Sequence, residues 1–187
     1  MSRLIQELRD FAQRRIELPI LSRLFPLPTG LTLLEVGCGG GNGLGALIAA
    51  YAPSNVIGVD CDMDAIRAAR RKLAPGVAGV SLLVGDACAL PLESSSVDVV
   101  FDFGTAYHVG EPERLSAEVE RVLRPGGLFV YESPGAQWIA HPTATLARTL
   151  SGDRPGCGSG GPLRSLWASR RIASSTRQEP ASSHATG

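Results

Sequence analysis

The chain has no net charge, no Cys-x-x-Cys pair, no histidine cluster and no long apolar run. Its 18 basic and 18 acidic side chains cancel, which argues against an electrostatic grip on nucleic acid or on a membrane surface. The four thiols, Cys38, Cys61, Cys88 and Cys157, are scattered along the chain, so neither a metal site nor a disulfide framework is expected. No stretch approaches the roughly 18 uninterrupted apolar residues that a membrane span requires. The opening Met-Ser-Arg-Leu-Ile-Gln-Glu-Leu-Arg-Asp mixes charges with apolar residues and lacks the apolar core of a secretory signal. A soluble cytoplasmic protein is the expectation. No internal repeat is visible.

What is present fits one globular domain. The 187 residues are 44% apolar and 19% charged, enough to bury a core without disulfides or metals. Neutrality conceals a split: residues 1–133 hold 16 acids and 12 bases, whereas 134–187 hold 2 acids and 6 bases. Five apolar runs, Leu31–Val36, Val56–Val59, Val80–Val84, Val97–Phe101 and Leu128–Tyr131, are rich in Val and Leu and bounded by turn residues. Near-continuous hydrophobicity of this kind predicts strands buried on both faces, as in a parallel sheet.

Helices fall between the strands. Asp62 can cap a helix whose Ile66, Ala69 and Leu73 share a face. Pro112 suits a first helical turn, Leu115, Val119, Val122 and Leu123 form a stripe, and Pro125-Gly126-Gly127 stops it. On that helix Glu120 and Arg124 have the spacing of a favourable pair. Gly43–Tyr51 is a further helix, weakened by two glycines, and Pro91 prevents a long helix between the third and fourth strands. The pattern predicts an α/β fold, a Rossmann-like open and mostly parallel sheet with flanking helices. Ahead of it, residues 1–30 read as a cap region. Leu4, Ile5, Leu8, Phe11 and Ala12 share a helical face, and Pro19, Pro26 and Pro28 break the chain. This helix either packs over the sheet edge or forms a lid. The domain proper spans 31–150. In 151–187, 17 of 37 residues are Ser, Gly or Pro and no period survives, so disorder is expected there.

The first strand runs into Glu35-Val36-Gly37-Cys38-Gly39-Gly40-Gly41-Asn42-Gly43. Such glycines let the backbone turn sharply and approach a ligand, and the turn lies at the carboxyl end of the sheet, where ligands bind in open α/β folds. Asp60 ends the second strand, 19 residues after Gly41; a carboxylate there can accept both ribose hydroxyls of an adenosine ligand and disfavours a 2′-phosphate. Asp60, Asp62 and Asp64 are spaced like a calcium loop, but Ala65 and Arg71 occupy the positions that need Gly and Glu, which rejects calcium.

These motifs, in this order, resemble the class I S-adenosylmethionine-dependent methyltransferases, of the small-molecule type related to ubiquinone and menaquinone C-methyltransferases. Glu35-Val36-Gly37-Cys38-Gly39-Gly40-Gly41 resembles the family's E-x-G-x-G-x-G loop, and Asp60 its acidic residue after the second strand. Gly85-Asp86-Ala87 with Leu90-Pro91-Leu92 is similar to the adenine-contacting segment. Val97-Asp98-Val99-Val100-Phe101 is similar to its fourth strand, and Val122-Leu123-Arg124-Pro125-Gly126-Gly127 to the turn into its fifth. The resemblance covers residues 31–133. It implies S-adenosyl-L-methionine as cofactor and methyl transfer to a small, apolar acceptor. It also implies roles: Gly37, Cys38, Gly39 and Gly41 in the cofactor loop, Glu35 toward the methionyl ammonium, Asp60 on the ribose, Cys61 against the adenine face, Asp86 on the exocyclic amine and the Ala87 N–H on a ring nitrogen. Asp102 and Phe103 would line the cofactor pocket.

His108 lies just past the fourth strand and is the candidate general base; a lone loop histidine is equally readable as a surface residue. A complete member of the family resembles a seven-stranded sheet, and only five strands are readable here. The expectation is therefore a truncated or frame-shifted member whose last two strands are missing and whose fifth strand is an exposed edge. Two other readings stay open: a non-catalytic relative that binds cofactor, and an NAD-binding oxidoreductase domain, which shares the glycine turn and the acidic second strand.

Overall fold

A computed structural model of the chain describes Phe11 and residues 13–73, 79–132 and 167–171. The five apolar runs form β1 (Thr32–Val36), β2 (Asn55–Asp60), β3 (Val80–Val84), β4 (Val97–Asp102) and β5 (Leu123–Glu132). All neighbouring pairs among them are parallel, in the order β3-β2-β1-β4-β5. The helices are α1 (Leu18–Leu24), α2 (Asn42–Tyr51), α3 (Met63–Lys72) and α4 (Pro112–Val122). Helices α2, α3 and α4 supply crossovers between parallel strands, whereas between β3 and β4 the chain carries Pro91 and stays irregular. Among the described residues no helix is long and apolar enough to cross a membrane.

Side-chain alternation along the strands builds one core on each face of the sheet. Leu33, Val56, Val99, Phe101, Phe103, Leu128 and Val130 pack with Leu18, Leu21, Leu44, Leu47 and Ile66 from α1, α2 and α3. Leu34, Val36, Val59, Val97, Val100 and Leu123 pack with Leu115, Val119 and Val122 of α4 and with Ala87 and Leu90. Full burial on both faces, expected for every strand, fails for β3. It is the sheet edge, and Val84 is 46% exposed.

The helix signals act largely as anticipated. The Asp62 side chain accepts the Asp64 N–H at 2.8 Å, capping α3, and Pro112 opens α4. Two expectations are corrected. Pro19 does not break the chain. It sits in the first turn of α1, after a π-turn over Gln13–Glu17, where proline's missing N–H has no helical partner to lose. Helix α4 ends at Val122, so Arg124 lies on β5, where its guanidinium pairs with Asp98 Oδ1 at 2.7 Å. Asp98 Oδ2 also accepts the Thr32 N–H at 2.8 Å, tying β1, β4 and β5 together at their amino ends. Of the leading helical face, only Phe11 is described, and it is 60% exposed.

A sixth strand, β6 (Trp167–Arg171), pairs antiparallel with β5, Trp167 opposite Glu132 and Arg171 opposite Leu128. The expected disorder over 151–187 is therefore corrected at these five residues, and with it the expectation that β5 is an exposed edge. The rest of that range and the helix anticipated over Gln137–Leu150 lie outside the described residues.

Candidate functional site

The sheet reverses its winding between β1 and β4, and the carboxyl ends of β1–β4 meet there around a cavity of about 260 Å³. Its lining is Gly37, Val59, Asp60, Cys61, Gly85, Asp86, Ala87, Thr105, His108 and Val109. Each strand contributes residues at or just past its carboxyl end, which is the geometry expected for ligand binding at a topological switch point. Among the described residues the lining carries two carboxylates and one imidazole, and neither lysine nor arginine. Cavities of about 540 Å³ between α1 and α2 and about 450 Å³ between α4 and β5 are larger, but neither gathers these strand ends.

The glycine turn is fixed by backbone bonds. Gly37 and Cys38 both donate to the Val59 carbonyl, at 2.7 and 3.0 Å. Asp60 binds the turn from the opposite side: its Oδ2 accepts the Gly39 N–H at 2.7 Å, and its Oδ1 accepts the Asp62 N–H at 2.9 Å. Each carboxylate oxygen keeps a further lone pair, so Asp60 both holds the loop and faces the cavity. Gly37 has φ of +67°, and a Cβ on it would overlap Thr105 Oγ1. The Thr105 hydroxyl donates to the Val36 carbonyl at 2.9 Å, so the turn after β4 sits directly on the turn after β1.

Of the residues anticipated from sequence, Gly37, Asp60, Cys61, Asp86, Ala87 and His108 line the cavity together. Cys61 and His108 are exposed. Asp86 folds its own turn, its Oδ1 accepting the Cys88 N–H at 2.8 Å. Glu35 is 3% exposed and lies under the loop, its carboxylate occupying the space that a side chain on Gly43 would need. Cys38 is buried against Gly58; burial, reinforced by the Glu35 and Asp60 charges, raises its thiol pKa far above the usual range. Gly41 packs on Ala69 and Leu73 of α3.

Asp102 and Phe103 depart from expectation. Phe103 stacks on Phe101 within the core, ring centroids 5.9 Å apart. Asp102 is buried, and its carboxylate accepts three backbone N–H groups: Gly104 at 2.9 Å and Thr105 at 2.5 Å on Oδ1, and Ala106 at 3.0 Å on Oδ2. Burial raises its pKa, and these bonds oppose the rise. Asp102 thus caps the 3₁₀ turn Thr105–Tyr107 and lines the cavity beside α4, not the one at the switch point. β-Strand alternation explains this, since Asp102 lies two residues after Val100 on the α4 face.

Thr105 and Val109 were not anticipated; the only signal for Thr105 was its place just past an aspartate that ends a strand. The segment after β3 has a brace that no local pattern announces. Arg121 donates to the Leu90 and Leu92 carbonyls at 2.9 and 2.8 Å, Glu118 accepts the Leu90 N–H at 2.7 Å, and the two side chains pair at 2.7 Å.

An open, mostly parallel sheet with a glycine turn and an acidic second strand end defines a Rossmann-like fold. The family described as Methyltransferase domain matches residues 34–131, more than half of the 187 residues, and the chain belongs to that family. Its fold is that of the class I methyltransferases.

The chain is 36% identical over 102 residues to a fatty-acid O-methyltransferase of Mycolicibacterium smegmatis, covering 54% of this chain and 36% of that protein. It is 35% identical over 127 residues to the phthiotriol/phenolphthiotriol dimycocerosates methyltransferase of Mycobacterium tuberculosis, covering 65% of this chain and 46% of that one. Among solved structures, the phosphoethanolamine N-methyltransferase 2 of Haemonchus contortus in complex with S-adenosyl-L-methionine is 31% identical. Its TM-score is 0.55, and the match covers 61% of this chain and 26% of that chain. The chain therefore spans less than half the length of these relatives.

Proposed function

We propose that the switch-point cavity binds S-adenosyl-L-methionine and that the protein transfers its methyl group to a small, apolar acceptor. The observation that carries this is the charge of the lining: Asp60 and Asp86, with no lysine or arginine among the described residues. Two carboxylates facing the cavity attract the cationic tail of a phosphate-free nucleoside, whereas they repel the phosphates of a dinucleotide. Family membership and the complex of the phosphoethanolamine methyltransferase support the same cofactor. The names of the mycobacterial relatives support an apolar acceptor.

In this reading Asp60 holds the ribose, Asp86 and the Ala87 N–H hold the adenine edge, Cys61 flanks its face, and Glu35 sets the negative field under the loop. Bound adenosylmethionine supplies an electrophilic methyl group on a cationic sulfur. The chain's contribution is alignment, which alone can remove several kcal/mol from a barrier, on the order of 7 or more in the best cases. His108, at the cavity mouth, accepts the proton of the acceptor's nucleophilic atom.

Calorimetric titration with adenosylmethionine and, separately, with NADH tests the cofactor. Binding of adenosylmethionine alone is expected; heat with NADH alone would sink the reading. Release of S-adenosylhomocysteine in the presence of medium-chain fatty acids, followed by mass spectrometry, tests the acceptor class.

A further inference from the structure

The turn that carries His108 is tied down at three places. Asp102, at the end of β4, caps it through the N–H groups of Gly104, Thr105 and Ala106. The Thr105 hydroxyl reaches Val36, the last residue of β1, at 2.9 Å. The Tyr107 hydroxyl donates to the backbone carbonyl of Glu132, the last residue of β5, also at 2.9 Å. Strands β1, β4 and β5 are neighbours in the sheet, so the turn bridges three adjacent strand ends across the switch point. It is also a partition. Thr105, His108 and Val109 face the switch-point cavity, whereas Ala106 and Tyr107 face the cavity beside α4.

We propose that the hydroxyls of Thr105 and Tyr107 are positioning groups that hold His108 in register with the cofactor cavity. The proposal rests on the adenosylmethionine reading above for its ligand, and on the three tethers for its geometry. His108 is exposed, so its place is inherited chiefly from the turn that carries it. Thr105 acts through the glycine loop as well, because its side chain fills the space over Gly37. Tyr107 lies on the far side of the partition and acts only through the backbone of the turn.

Three variants separate the tethers from bulk stability: Thr105→Val, which keeps the branched shape and removes the hydroxyl, Thr105→Ser, which restores it, and Tyr107→Phe. S-adenosylhomocysteine is the probe, read by calorimetry and by the imidazole resonances of His108, assigned with His108→Gln. Thr105→Val should weaken binding about tenfold, the scale of one lost hydrogen bond, and Thr105→Ser should return it to within about threefold. Tyr107→Phe should leave the dissociation constant nearly unchanged while abolishing the ligand-induced shift of His108. Amide hydrogen exchange over Gly104–His108, measured without ligand, should quicken in Thr105→Val and in Tyr107→Phe.

Quickened exchange with unchanged binding and an unchanged His108 shift would overturn the proposal, because the bonds would then be structural only. Unchanged exchange would overturn it as well. If the parent protein fails to bind the probe while exchange quickens as described, the tethers stand and the cofactor reading falls.

Discussion

Replacing Gly37 by alanine brings two costs together at one position. At φ of +67° an L-residue meets the left-handed penalty, about 1–2 kcal/mol. The new methyl would also overlap Thr105 Oγ1 and lie 2.9 Å from its Cβ and Cγ2. Thr105 is β-branched and anchored to Val36, so it yields only by giving up that hydrogen bond, worth about 1 kcal/mol. The sum is about 2–3 kcal/mol of lost stability.

Gly39→Ala is the control. Its φ is +49° with no atom within 4 Å of the added Cβ, so only the backbone penalty of about 1–2 kcal/mol applies. Urea denaturation monitored by circular dichroism compares the two variants, and Thr105→Ala in the Gly37→Ala background completes a double-mutant cycle. Because the second change removes the obstructing side chain, the double variant should be less destabilised than the sum of the single changes, by about 1 kcal/mol. Equal losses at positions 37 and 39, or strict additivity in the cycle, would refute the claim that the two turns are in direct contact.

Other outcomes rest on the same geometry. Asp60→Asn places an NH₂ where an oxygen now accepts a backbone N–H, so adenosylmethionine binding should weaken by about 1–3 kcal/mol in a calorimetric titration, with circular dichroism unchanged. Glu118 is held below the usual carboxylate range first by its hydrogen bond from Arg121. Its contribution is thus present above the ordinary glutamate value and lost as pH falls through the lower folded-state value. The stability gap between the parent and Glu118→Gln, read from urea midpoints at successive pH, should close on acidification; a constant gap would show that the carboxylate charge is irrelevant to the brace. Iodoacetamide should modify exposed Cys61 and spare buried Cys38, whose thiol resists ionisation. Peptide mass spectrometry reads this, and bound adenosylmethionine should protect Cys61.

Elements whose cause is local were legible in the sequence. Apolar Val and Leu runs marked all five parallel strands, because strands in the middle of such a sheet leave little room for polar residues. The cap at Asp62 and the proline at 112 likewise needed only neighbouring residues. What was not legible depends on distant partners. Trp167–Arg171 has two arginines and no alternation; it is a strand because β5 offers it a ladder. The fate of Asp102 turned on which face of the sheet it occupies: the resemblance aims it at the cofactor pocket, and it lines the cavity beside α4. The brace of Glu118 and Arg121 on Leu90 joins residues 28 and more positions apart, a distance no periodicity reports.

The pairing of Trp167 with Glu132 also has a consequence for how this protein can vary. Glu132 and Trp167 stand opposite one another, so positions 132 and 167 are held together by the ladder at the carboxyl end of β5, beside that of β4. With that distance fixed, the cost of changing the number of residues in a flexible connection between them is the entropy of closing a ring. Doubling that number costs about 0.6 kcal/mol, which is small against typical domain stabilities of about 5–15 kcal/mol. The ladder can therefore tolerate a change in the length of chain between these two positions with the sheet unaltered, so the rim at the carboxyl end of β5 can vary while the parallel strands stay as they are.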